Sequence, residues 1–167
     1  MGILAGTIET LDDLFLHQLR DIHYAEHKIL KNLPVMIERA NNLQLKNDLA
    51  EHFLQTRRQI ERLEAIFKLL DAPATTVTCP AIDGIIQEAE DVIGETADFD
   101  AQDAALVAAA QTIEHYEIAR YGTLVAWARQ LGRHDCARLL RQTLEEDKTA
   151  DQNLTAVAEI QINMEAV

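Results

Sequence analysis

Apolar residues recur three and four positions apart over stretches far longer than a strand, and only 3 prolines and 6 glycines interrupt the 167 residues. Long amphipathic helices are the one arrangement that buries so regular a stripe. Leu11, Leu14, Phe15, Leu19, Ile22, Ile29 and Leu33 set the spacing of a first helix running to about Asn41. Thr10, followed by Asp13, has the form of a capping box at its start. Pro34 predicts a kink or a break near Leu30, because proline removes a backbone donor and crowds the carbonyl one turn back.

Leu45, Leu49, Phe53, Ile60, Leu63, Ile66, Phe67 and Leu70 mark a second helix from about Leu43 to Leu70. The Asn41-Asn42 turn is short, so the two helices are expected to run antiparallel. Pro73, Thr75, Thr76, Thr78 and Pro80 then give loop chemistry from Asp71 to Pro80. Ile82 to Ile93 predicts a short amphipathic helix, followed by a polar link through Asp98 and Asp100. A third long helix is expected from Ala101 to Leu131, ended by Gly132, and a fourth from Asp135 to about Met164. The expectation is a single all-α domain over 1–167, built from two antiparallel helical hairpins. A long crossover, about 71–100, carries the short extra helix, which is the ferritin-like variant of the four-helix bundle.

Composition narrows the function. With 15 Lys and Arg against 28 Asp and Glu, the formal net charge of −13 argues against a binder of phosphate backbones and against a DNA-protecting shell. The chain has no serine, hence no Gly-x-Ser-x-Gly turn, and no glycine-rich phosphate loop. Cys79 and Cys136 lack the spacing of a structural zinc site and are expected as reduced, packed thiols. Met1 to Thr10 has neither the basic region nor the apolar stretch of a secretory signal, and no run of about 18 apolar residues occurs. A cytoplasmic protein with no membrane and no nucleic-acid partner is expected.

Polar residues break the apolar stripes at similar heights. Glu26 stands between Ile22 and Ile29 in the first helix, and His52, Thr56 and Gln59 stand between Leu49 and Leu63 in the second. In the third, Ala110, Gln111, Glu114, Glu117, Ile118 and Tyr121 lie near one face, and Glu114 and Glu117 can approach one centre. The fourth offers Glu145, Glu146, Asp147 and Asp151, of which Glu146 completes a layer across four helices. Carboxylates buried together repel and take up protons, whereas one or two divalent cations would pair them. The plainer alternative stays open: a chain this acidic puts some carboxylates near an apolar face by chance, and His52 can be a capped core histidine as readily as a ligand. His115 and His23 sit off these stripes and are expected to flank the layer or face solvent, and His17, His27 and His134 have no constellation. Tyr116 and Tyr121 are expected to pack.

Tyr24-Ala25-Glu26, His52 with Thr56, Gln59-Ile60-Glu61-Arg62, the block from Glu114-His115-Tyr116-Glu117 to Leu124, and Thr143-Leu144-Glu145-Glu146 occur in an order that resembles the YciF-type stress-protein family of the ferritin-like superfamily. The resemblance covers nearly the whole chain. It implies metal ligands at Glu26, His52, residue 55, Glu114, Glu117 and Glu146, two iron ions or manganese, oxidation of Fe(II) by oxygen or peroxide, a homodimer and a stress context. The family tends to carry a glutamate at position 55, where this chain has Gln55, a neutral and weaker ligand. The Glu-x-x-His element of rubrerythrin-type sites is also absent from these helices. The alternative implied is a non-catalytic stress-response homodimer, or a partner-binding bundle, with a degenerate metal site.

Overall fold

The computed structural model describes residues 7–167. The first residues of the segment assessed for a signal, 1–6, lie outside them. The described residues form helices and connections, with no strand among them. The helices are α1 (Leu11–Arg39), α2 (Leu43–Leu69), α3 (Pro80–Glu95), α4 (Phe99–Gln130) and α5 (His134–Val157), the last continuing through a wide π-turn (Ala158–Ile162) into a final short helical turn. None is long and apolar enough to cross a membrane.

The capping box forms as expected: the Asp13 N–H donates to Thr10 Oγ1 at 3.1 Å, and the Thr10 N–H donates to Asp13 Oδ2 at 2.9 Å. Pro34, however, does not split α1, which continues to Arg39. One backbone bond is lost there, but Leu33 and Met36 on either side of it are buried, and their packing holds the helix together. The crossover helix starts earlier than expected because Pro80 suits a first helical position. The polar link after it is shorter than expected, because Asp98 caps α4 by accepting from the N–H groups of Asp100 and Ala101.

Gly132 has φ +70° and closes α4 with the Arg133 N–H on the Ala128 carbonyl at 2.8 Å and its own N–H on the Arg129 carbonyl at 3.0 Å. The same double closure ends α2, but there the left-handed residue is Asp71, with φ 50°.

Contacts run from α1 to α2, α2 to α5, α5 to α4 and α4 back to α1, with α3 laid against α4 and α1. Arg62 meets Thr143 while Gln59 meets Asp147, so α2 and α5 run antiparallel. Asp12 meets Arg133 while Asn41 meets Asp103, so α1 and α4 do too. Because α2 and α4 therefore point the same way, residues 70–98 travel the length of the molecule, tied to α1 where the Val77 N–H donates to the Arg20 carbonyl at 3.2 Å. The core is apolar at both ends: Phe15, Leu19 and Leu63 pack one end, and Leu33, Leu45 and Leu106 the other.

Asp103 fixes the α1–α2 turn from α4. It is buried, and its two oxygens accept from the backbone N–H groups of Asn41 at 2.8 Å and Asn42 at 2.6 Å. Asp103→Ala would strand both donors, so urea unfolding should show a loss of about 1.5–3 kcal/mol, the range for hydrogen bonds to a charged group.

Candidate metal centre

Between the two apolar ends lies a polar layer. Glu26 of α1, Glu114 and Glu117 of α4 and Asp147 of α5 are each at most 1% exposed. His52, Thr56 and Gln59 of α2 and Tyr121 of α4 are buried with them. His52 Nδ1 stands 3.1 Å from Glu114 Oε1, and its Nε2 stands 3.5 Å from Glu117 Oε2. One donor atom from each of these three residues lies within 4.8 Å of the others.

The layer is held from outside by directional bonds. Tyr121 donates its hydroxyl to Glu26 Oε1, and Gln59 Nε2 donates to Asp147 Oδ1 at 2.7 Å. Thr56 spends its hydroxyl on the His52 carbonyl at 2.9 Å, so it shapes α2 and leaves the imidazole free. On the inner side, Glu26 Oε2, both oxygens of Glu114, both of Glu117, Asp147 Oδ2 and His52 Nε2 have no hydrogen-bond partner. The close approaches of His52 to the two glutamates lack the directionality of hydrogen bonds.

Burial is the main cause of the electrostatic state. It pushes the Glu114 carboxyl up to about 8, with Glu117, Glu26 and Asp151 adding to the rise and His52 opposing it. Glu26 is raised by burial and by Glu117, against the Tyr121 hydrogen bond, while Glu117 is raised by burial and by Asp147. Asp147 is raised by burial and by Glu114 and Glu26, against Gln59. Protonation removes the repulsion but leaves the orphaned oxygens in place. Carboxylate oxygens and one imidazole form a donor set for hard or borderline cations such as iron and manganese, so the residues present fit such an ion.

The structure brings Glu26, His52, Glu114 and Glu117 of the expected ligands into one layer. Gln55 is half-buried and lines, with Asp48, Glu51, His52, Glu114 and Asn153, an opening of about 40 Å³ that leads outward from the layer. Glu146 makes a two-point pairing with Arg62, at 2.6 and 2.7 Å, and accepts from Gln59 Nε2 at 3.4 Å at the edge of the layer, while the fully buried α5 acid is Asp147. The signal was present in the spacing, since Leu140, Leu144, Asp147 and Leu154 share one buried helical face. Tyr121 packs as expected but also donates to a carboxylate, a role that its spacing alone did not reveal. His115 is exposed and pairs with Asp151 at 3.1 Å, whereas His23 is buried against Phe67 and lies beside His27, which does have a partner after all. Cys79 and Cys136 are buried free thiols.

Residues 10–167 match the model of a protein family described as a domain of unknown function, DUF892. The chain belongs to that family. It is 39% identical to Protein YciF of Escherichia coli (strain K12) over 160 residues, 95% of this chain and 96% of that one. The crystal structure of that E. coli stress protein superposes with a TM-score of 0.89, covering 93% of this chain and 99% of that one. YcfI of Rhodopseudomonas palustris, described as a candidate structural protein, superposes with a TM-score of 0.91 at 52% identity, again over 93% of this chain and 99% of that one. The YciF-type resemblance seen in the sequence is therefore shown.

The raised carboxyls give the metal-free protein a definite pH dependence. Glu114 titrates higher in the folded chain than the ordinary 4.5, so its contribution is complete below that value and is lost as pH rises through about 8. Chelator-treated protein should lose thermal stability between about pH 5 and 8. Glu114→Gln, which cannot ionise, should flatten that slope and melt higher than the parent at the alkaline end, as followed by circular dichroism.

Proposed function

We propose that this chain is a ferritin-like metal-binding bundle whose polar layer holds iron or manganese as a di-metal carboxylate site. The observation that carries the reading is the burial together of unpartnered carboxylate oxygens from three helices, of which Glu114 and Glu117 of α4 approach His52 of a fourth. Leaving so many buried acceptors unsatisfied costs several kcal/mol unless something pairs with them. Four carboxylates, Glu26, Glu114, Glu117 and Asp147, balance the charge of two divalent ions with His52 as a neutral ligand.

Bound iron or manganese would supply electron exchange with oxygen or peroxide. The chain's own residues hold and orient: Tyr121 fixes Glu26, Gln59 fixes Asp147, and the apolar ends keep bulk water from the layer. Asp48 and Glu51 put negative charge at the opening beside Gln55, which favours the approach of cations. In this reading Gln55 removes a charge at the edge of the site and Asp147 supplies one inside it.

A second reading, a non-catalytic stress-response bundle, is favoured by Gln55 and by the direct approach of His52 to two carboxylates. Elemental analysis of tag-free protein purified without chelator, followed by anaerobic Fe(II) titration and an oxygen pulse, separates the two. The metal-centre reading expects about two ions per chain and a near-ultraviolet ferric absorption. Glu114→Ala and Asp147→Ala should lose stoichiometric metal, while Glu146→Gln should retain it. Absence of stoichiometric metal from the parent protein, under both purification and titration, would leave the structural bundle.

A further inference from the structure

Two histidines outside the polar layer form a second, chemically different constellation. His23 and His27 lie one turn apart on α1, with their Nε2 atoms 3.2 Å from each other. His23 is 4% exposed and packs on Phe67 of α2 with ring centroids 5.5 Å apart, whereas His27 is open to solvent. The two imidazole centroids are 4.7 Å apart and the ring planes cross at 70°. Rings meeting end to end would hold their centroids farther apart than their facing nitrogens by a full ring width. The excess here is smaller, so the two rings are bent toward one side rather than meeting end to end.

Two metal–nitrogen bonds of about 2.0–2.1 Å closing on this separation meet at about 100°, between the square and the tetrahedral angle. The surroundings prepare His23 for that role. Its Nδ1 is buried without a hydrogen-bond partner, and the Thr75 backbone of the crossover lies close enough to the ring to favour its protonated form. Burial and the adjacent His27 push His23 below the ordinary imidazole value, which keeps the ring neutral and available, and Glu64 of α2 adds negative charge nearby.

We propose that His23 and His27 form a bidentate, solvent-accessible site for a borderline divalent transition-metal ion, Cu(II), Ni(II) or Zn(II). Water fills the open positions and Glu64 offsets part of the charge. Imidazole donors suit these ions, whereas the oxygen-rich layer suits harder ones, so the chain would carry two sites of different selectivity.

Electron paramagnetic resonance of tag-free, metal-stripped full chain loaded with one equivalent of Cu(II) tests this. The expected spectrum shows coupling to two imidazole nitrogens. His27→Gln, at an exposed position and with folding checked by circular dichroism, should abolish the two-nitrogen pattern. It should weaken Cu(II) binding by more than the roughly 10–100-fold that loss of an outer-shell partner costs. Glu114→Ala should leave the pattern unchanged, which separates this site from the buried layer. A parent spectrum with fewer than two coupled nitrogens, or a two-nitrogen pattern that survives His27→Gln, would overturn the proposal and leave a hydrogen-bonded histidine pair.

Discussion

Four carboxyl groups share the middle of an apolar core, and the rest of the structure is arranged around the cost of keeping them there. A lone buried carboxylate is disfavoured by several kcal/mol, and neighbouring ones add repulsion. The burden is concentrated in one layer, with Phe15, Leu19 and Leu63 packing one side of it and Leu33, Leu45 and Leu106 the other. Those two ends supply the apolar burial that makes the layer tolerable. The long helices follow from this division, since each must pass through one apolar end, the layer and the other apolar end.

The supports of the layer are unequal, and the inequality shows which atoms are structural. Glu26 and Asp147 each have one oxygen committed, to Tyr121 and to Gln59, and one oxygen free. Glu114 and Glu117 have neither oxygen in a hydrogen bond and face His52 instead. Outer partners therefore set the orientation of the acids on α1 and α5, while the two acids on α4 are placed by the helix alone, at i and i+3 on one face. Arg62 supports the arrangement from further out. It engages Glu146 at two points at the edge of the layer, where Gln59 also reaches that acid, while the adjacent Asp147 is fully buried.

Much of this was legible in the sequence, and the failures have identifiable causes. Glu26, His52, Glu114 and Glu117 could be found because each interrupts an apolar stripe, a property of the residue and its own helix. Choosing between Glu146 and Asp147 needed the neighbouring helix, since the guanidinium that takes Glu146 belongs to α2, although the face shared with Leu140, Leu144 and Leu154 already pointed to Asp147. Helix ends divide in the same way. Gly132 announces the end of α4, but the identical closure at α2 uses Asp71, whose composition gives no such signal. The Asp103 contact to the α1–α2 turn spans about sixty residues of sequence and has no local trace. His23 and His27 stand at helical spacing and could have been paired, but only the packing of Phe67 shows that one of them is buried.

Gln55 looks like damage to a metal site when position 55 is compared with a family pattern, and the geometry changes what that difference means. The amide lies at the rim of the opening, beside Asp48 and Glu51, while the fully buried charge comes from Glu26, Glu114, Glu117 and Asp147. A fifth carboxylate at position 55 would give two divalent ions an excess of negative charge next to the solvent boundary, where a neutral amide gives none. In the proposed metal-centre reading, charge neutrality inside the layer is thus compatible with the substitution, because the amide stands at the opening and not among the fully buried acids. Its effect, in that reading, would fall on how readily an ion enters, leaves or meets an oxidant, more than on whether the interior can hold one.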